Sequence, residues 1–160
     1  MQNNGTNHLY YYYDANGSIS YNGTRYAFRK NLQGDVIAIL DTNSNVVARY
    51  TYDAWGNILS ITDGDGNAVT SSLHIANVNP IRYRGYYYDT ETGWYYLNSR
   101  YYDPSVKRFI NADSLLDTNT EILGYNLFLY CENNPVALTD PSGSIAVSAT
   151  IFAIGCLPVL

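Results

Sequence analysis

One short pattern recurs along the chain and constrains its fold: Tyr-Asp followed, after two further residues, by Gly. It occupies 13–17 and 52–56, returns in lengthened form at 88–93, and survives without the glycine at 102–104. Asp can accept hydrogen bonds from backbone amides ahead of it, and Gly readily takes the positive φ that closes a turn. Each copy therefore predicts a strand that ends at Tyr and turns back tightly.

The residues between these turns have the patterns of β-strands. Residues 35–40 form a run rich in β-branched side chains, and 46–52 alternate between two faces with a period of two. The polar stretch 41–45 between them indicates a hairpin loop, and 58–62 predicts a further strand that ends at 63–67. We expect a mainly β fold made of consecutive antiparallel hairpins.

Composition agrees with sheets whose faces are half buried. The 160 residues include 18 Tyr but only 4 Phe and 2 Trp, and Tyr favours strands while keeping a polar tip in water. The net charge of −5 argues against a nucleic-acid partner, because phosphate binding relies on clustered Lys and Arg. Cys131 and Cys156 lack metal-binding spacing, so we expect free or buried thiols rather than a disulfide.

An acidic loop at 63–67 has a superficial likeness to a calcium site. An EF-hand loop needs Gly at its sixth position and Glu at its twelfth, where this chain has Ala68 and His74. An ordinary hairpin turn is therefore favoured, and we predict neither a metal nor a cofactor. His8 and His74 have no partner at catalytic or metal-binding spacing, which predicts surface positions.

The last third of the chain is less regular. Apolar residues near helical spacing predict a short helix within 121–131, with a strand as the alternative. After Asp140 the chain has no charged residue, and 145–160 are apolar and small. Three interpretations stay open for 145–160: the start of a separate C-terminal region, which we favour, a membrane-contacting segment, or a strand. The N-terminus has no signal-peptide pattern, so no export signal is expected in this chain.

Two stretches resemble a known family. GDVIAILDTNSNVVARYTYDAWGNI resembles the YD repeat of Rhs proteins and teneurins, and NPIRYRGYYYDTETGWYYLNSRYYDPSVKRFINADS resembles the Rhs repeat-associated core domain. Matching residues continue at 124–127, 133–136 and 140–143, whereas Lys107 departs from the usual Gly. The resemblance implies YD-repeat hairpins at 1–75, the core domain at 76–144 and the start of a variable C-terminal region at 145–160.

The resemblance also implies a function. In this family many hairpins join into a hollow β-sheet shell that encloses a C-terminal toxin, so the expected partners are the chain's own upstream shell and a downstream toxin polypeptide. The full-length protein would then be secreted or at the cell surface. Two alternatives are a cell-surface glycan-binding or adhesion module, with Trp94 among its contacts, and a truncated inactive remnant.

The candidate catalytic residues are two aspartates and an arginine. Arg100, Asp113 and Asp140 match the positions that the resemblance assigns to an aspartic-type protease, which cuts its own chain just after the Asp-Pro-Ser-Gly turn. Two carboxylates held close do not both ionise, so one can activate water while the other polarises the carbonyl, and a guanidinium can stabilise the oxyanion. The candidate bond is Ser144–Ile145, although Ser144 stands where the family often has Leu. The alternative is that these aspartates only form turns, as we expect of Asp103.

Overall fold

The computed structural model describes residues 2–3, 7–12, 17–113 and 126–148. Its largest element is a seven-stranded antiparallel sheet whose spatial order is the sequence order, so every connection is a hairpin. The strands are β1 Gln2–Asn3, β2 His8–Tyr12, β3 Ser18–Tyr21, β4 Thr24–Lys30, β5 Val36–Leu40, β6 Val46–Tyr52 and β7 Ile58–Asp63. The predicted mainly β fold of consecutive hairpins is confirmed.

The loops at 31–35, 41–45, 53–57 and 63–67 share one construction. In the 53–57 loop, Asp53 Oδ1 accepts hydrogen bonds from the amides of Trp55 (2.8 Å) and Asn57 (2.9 Å), and the fourth residue, Gly56, has a φ of +91°. Asn31, Asp41 and Asp63 accept the corresponding pair of amides in their own loops. The carboxylate of Asp63 therefore serves the turn, as the hairpin interpretation of 63–67 predicts.

The first hydrophobic core lies against this sheet. Its buried residues come from β2 to β6 and from the short helix α1, Ile75–Val78. Tyr50 donates a hydrogen bond from its hydroxyl to the carbonyl of Ala76 at 2.7 Å, which ties α1 to β6. His74 begins the helix, because its Nδ1 accepts a hydrogen bond from the amide of Ala76. His74 is half-buried, while His8 is exposed as predicted.

A second, four-stranded sheet carries the tyrosine-rich stretch. Its strands are β8 Tyr87–Tyr88, β9 Tyr95–Tyr96, β10 Tyr101–Asp103 and β11 Arg108–Phe109, again paired in chain order. The pairing places Tyr88, Tyr95, Tyr102 and Phe109 in one cross-strand row. This row forms the second core with Tyr83, Tyr86 and Tyr130, and the Tyr102 and Tyr130 rings stack at 4.0 Å. These aromatics therefore pack as a core.

The two cores are joined through one of the repeated turns. Three buried tyrosines donate their hydroxyl hydrogens to carbonyls of the 53–57 loop: Tyr83 to Ala54 (2.9 Å), Tyr95 to Gly56 (2.9 Å) and Tyr102 to Trp55 (2.7 Å). The loop carbonyls thus satisfy phenol groups that would otherwise be buried without a partner. This contact fixes the second sheet on the first.

The last described segment leads to the site. A 3-10 turn at Cys131–Asn133 precedes a two-stranded sheet of β12 Leu138–Thr139 and β13 Val147–Ser148. The helix predicted within 121–131 lies partly on 121–125, outside the described residues. Its described part, 126–131, holds turns and an isolated bridge before Cys131. Of the apolar end, 145–148 are described. Within the described ranges, no helix is long and apolar enough to cross a membrane.

Candidate active site

The Asp-Pro-Ser-Gly turn after β12 is organised by the buried side chain of Asp140. Its Oδ1 accepts hydrogen bonds from the amides of Gly143 (2.8 Å), Ser144 (3.0 Å) and Ile145 (3.2 Å). Gly143 has a φ of +76°, and a Cβ there would lie 2.4 Å from the carbonyl oxygen of Leu97. The turn therefore requires both its aspartate and its glycine.

The second oxygen of Asp140 faces Arg100, the residue before β10. Arg100 Nη2 lies 3.4 Å from Asp140 Oδ2 and 3.0 Å from Asp113 Oδ2, and all three side chains are at least 88% buried. Arg100 Nη1 donates to the carbonyl of Leu127 at 3.0 Å, and Nε donates to the carbonyl of Gly143. The fold thus brings together the three residues that the sequence assigned to one site. Their catalytic role stays a prediction.

The electrostatics of this cluster are set by burial and by two carboxylates around one guanidinium. Burial lowers the pKa of Arg100, while the charges of Asp113 and Asp140 act in the opposite direction. The face of the guanidinium also packs on the Phe109 ring, 3.6 Å from its centroid. An arginine held on several sides in this way is a preorganised donor for developing negative charge.

Ser99 holds the turn from the other side. Its Oγ lies within hydrogen-bond distance of the carbonyl oxygens of Ser142 (2.9 Å) and Gly143 (2.8 Å) and of the Oγ of Ser144 (3.0 Å). Tyr86 adds a hydrogen bond from its hydroxyl to the carbonyl of Asp140 at 2.9 Å. Ser99 has no sequence signal of its own beyond its place before Arg100.

Other candidate residues have different surroundings. Asp103 Oδ1 accepts hydrogen bonds from the amide and the hydroxyl of Ser105, which is the turn-forming role expected of it. Cys131 is free and buried, and burial raises the pKa of its thiol to about 12. Among the described residues, no group of three or more His, Cys, Asp or Glu side chains could hold a metal ion.

Comparison with known proteins agrees with this architecture. The RHS Repeat family model matches residues 31–68. The tRNA3(Ser)-specific nuclease WapA of Bacillus spizizenii is 40% identical over 136 residues, which are 84% of this chain and 5% of that protein. Double-stranded DNA deaminase toxin A of Burkholderia cenocepacia is 34% identical over 105 residues, 66% of this chain and 6% of that protein.

A solved structure, that of TcdB2-TccC3 without its hypervariable C-terminal region, matches with a TM-score of 0.68 and 25% identity. The match covers 86% of this chain and 6% of that one. Hairpins in chain order, closed by repeated Asx loops, define a YD-repeat β protein. The chain belongs to the Rhs family of such proteins, which includes polymorphic toxins. It spans 5% of the length of its WapA relative.

Proposed function

We propose that this segment is the part of an Rhs shell that encloses the polypeptide following it and cuts that polypeptide free. The observation that carries the proposal is the buried Arg100–Asp113–Asp140 cluster, built on the turn that immediately precedes Ser144. Asp140 thereby joins the candidate active site directly to the backbone that would be cut. A purely structural turn would not need a second carboxylate and a buried guanidinium around it.

The relatives support a role that does not depend on one toxin. A tRNA nuclease and a double-stranded DNA deaminase toxin have different named activities, yet each contains a segment similar to this chain. The structural match likewise holds for a protein that lacks its hypervariable C-terminal region. A segment common to such proteins serves a step that they share, and enclosure with release of a C-terminal toxin is such a step.

The chemistry proposed is an intramolecular hydrolysis of the aspartic type. One of Asp113 and Asp140 activates water, the other polarises the carbonyl, and Arg100 stabilises the oxyanion. Asp140 Oδ1 lies 3.2 Å from the nitrogen of Ile145, which is the leaving amine if the bond predicted from sequence, Ser144–Ile145, is cut. That distance allows Asp140 to deliver a proton to the amine.

We propose two partners, the upstream shell of the same protein and the polypeptide that follows the turn. In the sheet of β1 to β7, β1 is a terminal strand, and an upstream hairpin of the same protein can continue the sheet there. The enclosed partner is the polypeptide that follows the turn. We propose that the full-length protein is secreted or lies at the cell surface, where released toxin reaches another cell.

The test is to produce the chain with a folded reporter domain after Leu160 and to measure product masses over time. We expect cleavage just after the Asp-Pro-Ser-Gly turn, and loss of cleavage in Asp113→Asn and Asp140→Asn. Asp103→Asn is the matched control, because it makes the same change in a turn outside the cluster. An uncut wild-type protein, or full cleavage in both variants, would remove the protease proposal.

A second candidate function rests on an exposed aromatic pair. Tyr96 on β9 lies opposite Tyr101 on β10, with ring centroids 5.0 Å apart. The two residues are 40% and 41% exposed, and Trp94 lies beside Tyr101. Aromatic faces of this kind stack on sugar rings. A glycan array should then show binders whose affinity falls in Trp94→Ala, and binders indifferent to that change would contradict the idea.

A further inference from the structure

The side chain of Ser144, the residue before the bond proposed to be cut, has a defined partner in the fold. Its Oγ lies 3.0 Å from the Oγ of Ser99, which is distant in the chain and adjacent to Arg100. Ser99 Oγ also lies 2.9 Å from the carbonyl oxygen of Ser142 and 2.8 Å from that of Gly143. Ser99 therefore contacts three successive residues of the turn and ends at the side chain of Ser144.

The number of hydroxyl hydrogens decides which serine donates. A carbonyl oxygen can only accept, and each serine hydroxyl has a single hydrogen. The shortest of the three distances joins Ser99 Oγ to the Gly143 oxygen, which assigns the Ser99 hydrogen to that carbonyl. The lone pairs of Ser99 Oγ then accept the hydrogen of Ser144. The pair therefore requires a short side chain at 144 that donates a hydrogen bond, and an aliphatic side chain leaves Ser99 without this donor.

This contact bears on the reaction because the carbonyl of the bond Ser144–Ile145 belongs to Ser144. Groups on both sides of that carbonyl are held. Asp140 Oδ1 lies 3.0 Å from the nitrogen of Ser144 and 3.2 Å from that of Ile145, and Ser99 holds the side chain between them. Fixing these three groups restricts the direction in which the carbonyl points, and the rate of an intramolecular reaction depends strongly on such orientation.

We propose that Ser99 determines which side chain is accepted immediately before the cut, and that it selects a small side chain with a hydroxyl. The inference rests on the proposed function and keeps its bond and its aspartic-type chemistry, in which Ser99 transfers no proton. Ser99 is exposed, so water can replace part of the hydrogen bond. The selection is therefore roughly 2- to 10-fold in rate, the scale of one net hydrogen bond, rather than the much larger factors of a closed pocket.

The experiment compares Ser144→Thr with Ser144→Val, two side chains of nearly the same shape of which only the first has a hydroxyl. The full chain with the same C-terminal reporter is made by cell-free synthesis, and the cut fraction is followed over time. Mass analysis should give Ile145 as the first residue of the released fragment. We expect Ser144→Thr to be cut roughly 2- to 10-fold faster than Ser144→Val. With Ser99→Ala added to each, the two should be cut at equal rates, since the hydroxyl has lost its partner.

Two controls accompany this comparison. Ser105→Ala removes a hydroxyl from a turn outside the cluster and should leave the ratio of the Thr and Val rates unchanged. Ser99→Thr keeps the hydroxyl and should preserve that ratio. Circular dichroism checks the fold of each variant, and Ser144→Ala replaces Ser144→Val if the added bulk disturbs it.

The outcomes separate this inference from the proposed function. Equal rates for Thr and Val while Ser99 is present, or the same ratio after Ser99→Ala, would overturn the selection by Ser99. A chain that is uncut with Ser99→Ala whatever residue stands at 144 would overturn it too, because Ser99 would then be needed for the reaction itself. Each of these results leaves the aspartic-type proposal standing. An uncut wild-type protein would overturn both.

Discussion

The 53–57 loop offers a matched pair of substitutions that measures how firmly the second sheet is fixed on the first. Gly56 and Gly66 hold the same position in loops of the same construction, with φ of +91° and +93°. A Cβ on Gly56 would lie 2.7 Å from a carbon of the Tyr83 ring, whereas a Cβ on Gly66 would meet nothing within 4 Å. Gly56→Ala and Gly66→Ala therefore share the backbone change and differ in packing.

The magnitudes follow from these contacts. An alanine at positive φ is less stable than glycine by about 1–2 kcal/mol, which applies to both variants. Overpacking a buried site adds about 1–3 kcal/mol, and only Gly56→Ala incurs it. Tyr83 cannot easily move aside, because the residue is 1% exposed and its hydroxyl is bonded to Ala54. We expect a difference in unfolding free energy of about 1–3 kcal/mol between the two variants.

Urea unfolding followed by far-UV circular dichroism gives both free energies, provided that the slopes of the transitions agree. Gly56→Ala should also weaken the hydrogen bond that Tyr95 donates to the Gly56 carbonyl. If the two variants lose the same stability to within about 0.5 kcal/mol, the Tyr83 contact does not hold the two sheets together, and the described junction is wrong.

Three further predictions concern buried ionisable groups. Asp140→Asn should lower the unfolding free energy by about 1–3 kcal/mol in urea titrations, because it removes the charge that faces Arg100. The control Asp103→Asn should change the unfolding free energy by no more than about 0.5 kcal/mol. Burial raises the pKa of Tyr50 to about 12. The neutral phenol therefore contributes about 3 kcal/mol to the free energy of unfolding below pH 10, and this contribution is lost as pH rises through 12. The urea midpoint should accordingly fall less steeply with rising pH in Tyr50→Phe than in the wild-type protein. Burial also raises the pKa of Cys131 to about 12, so iodoacetamide at pH 8 should label this thiol only after unfolding, as peptide mass mapping will show.

Most of the sheet could be predicted from sequence because its signals are local. In the loops at 31–35, 41–45, 53–57 and 63–67, the first Asp or Asn side chain bonds to amides two and four residues ahead, and the alternation of 46–52 lies within a single strand. Helix α1, in contrast, was not predicted from sequence. It is only four residues long and capped by His74, so it is too short to show an apolar period.

The sequence proposed which residues belong to the candidate site, but it could not predict their geometry. Arg100, Asp113 and Asp140 were named from matching motifs, and the structure places them around one guanidinium. Ser99 could not be found in the same way, because a serine in a polar stretch has no periodicity or spacing that marks it. Its importance comes from lying within 3 Å of the turn at 142–144, far along the chain.

By itself the sequence determined the hairpins, their turns and the tyrosine-rich composition of the strands, since each depends on residues a few positions apart. Only the tertiary structure decided which carbonyls the buried tyrosines and Arg100 would reach. Those contacts join residues that are distant in the chain, and they arise because buried donors must find acceptors once the aromatic core has closed. In this protein the acceptors lie on two turns: the 53–57 loop, which joins the sheets, and the turn at 140–143, which forms the site.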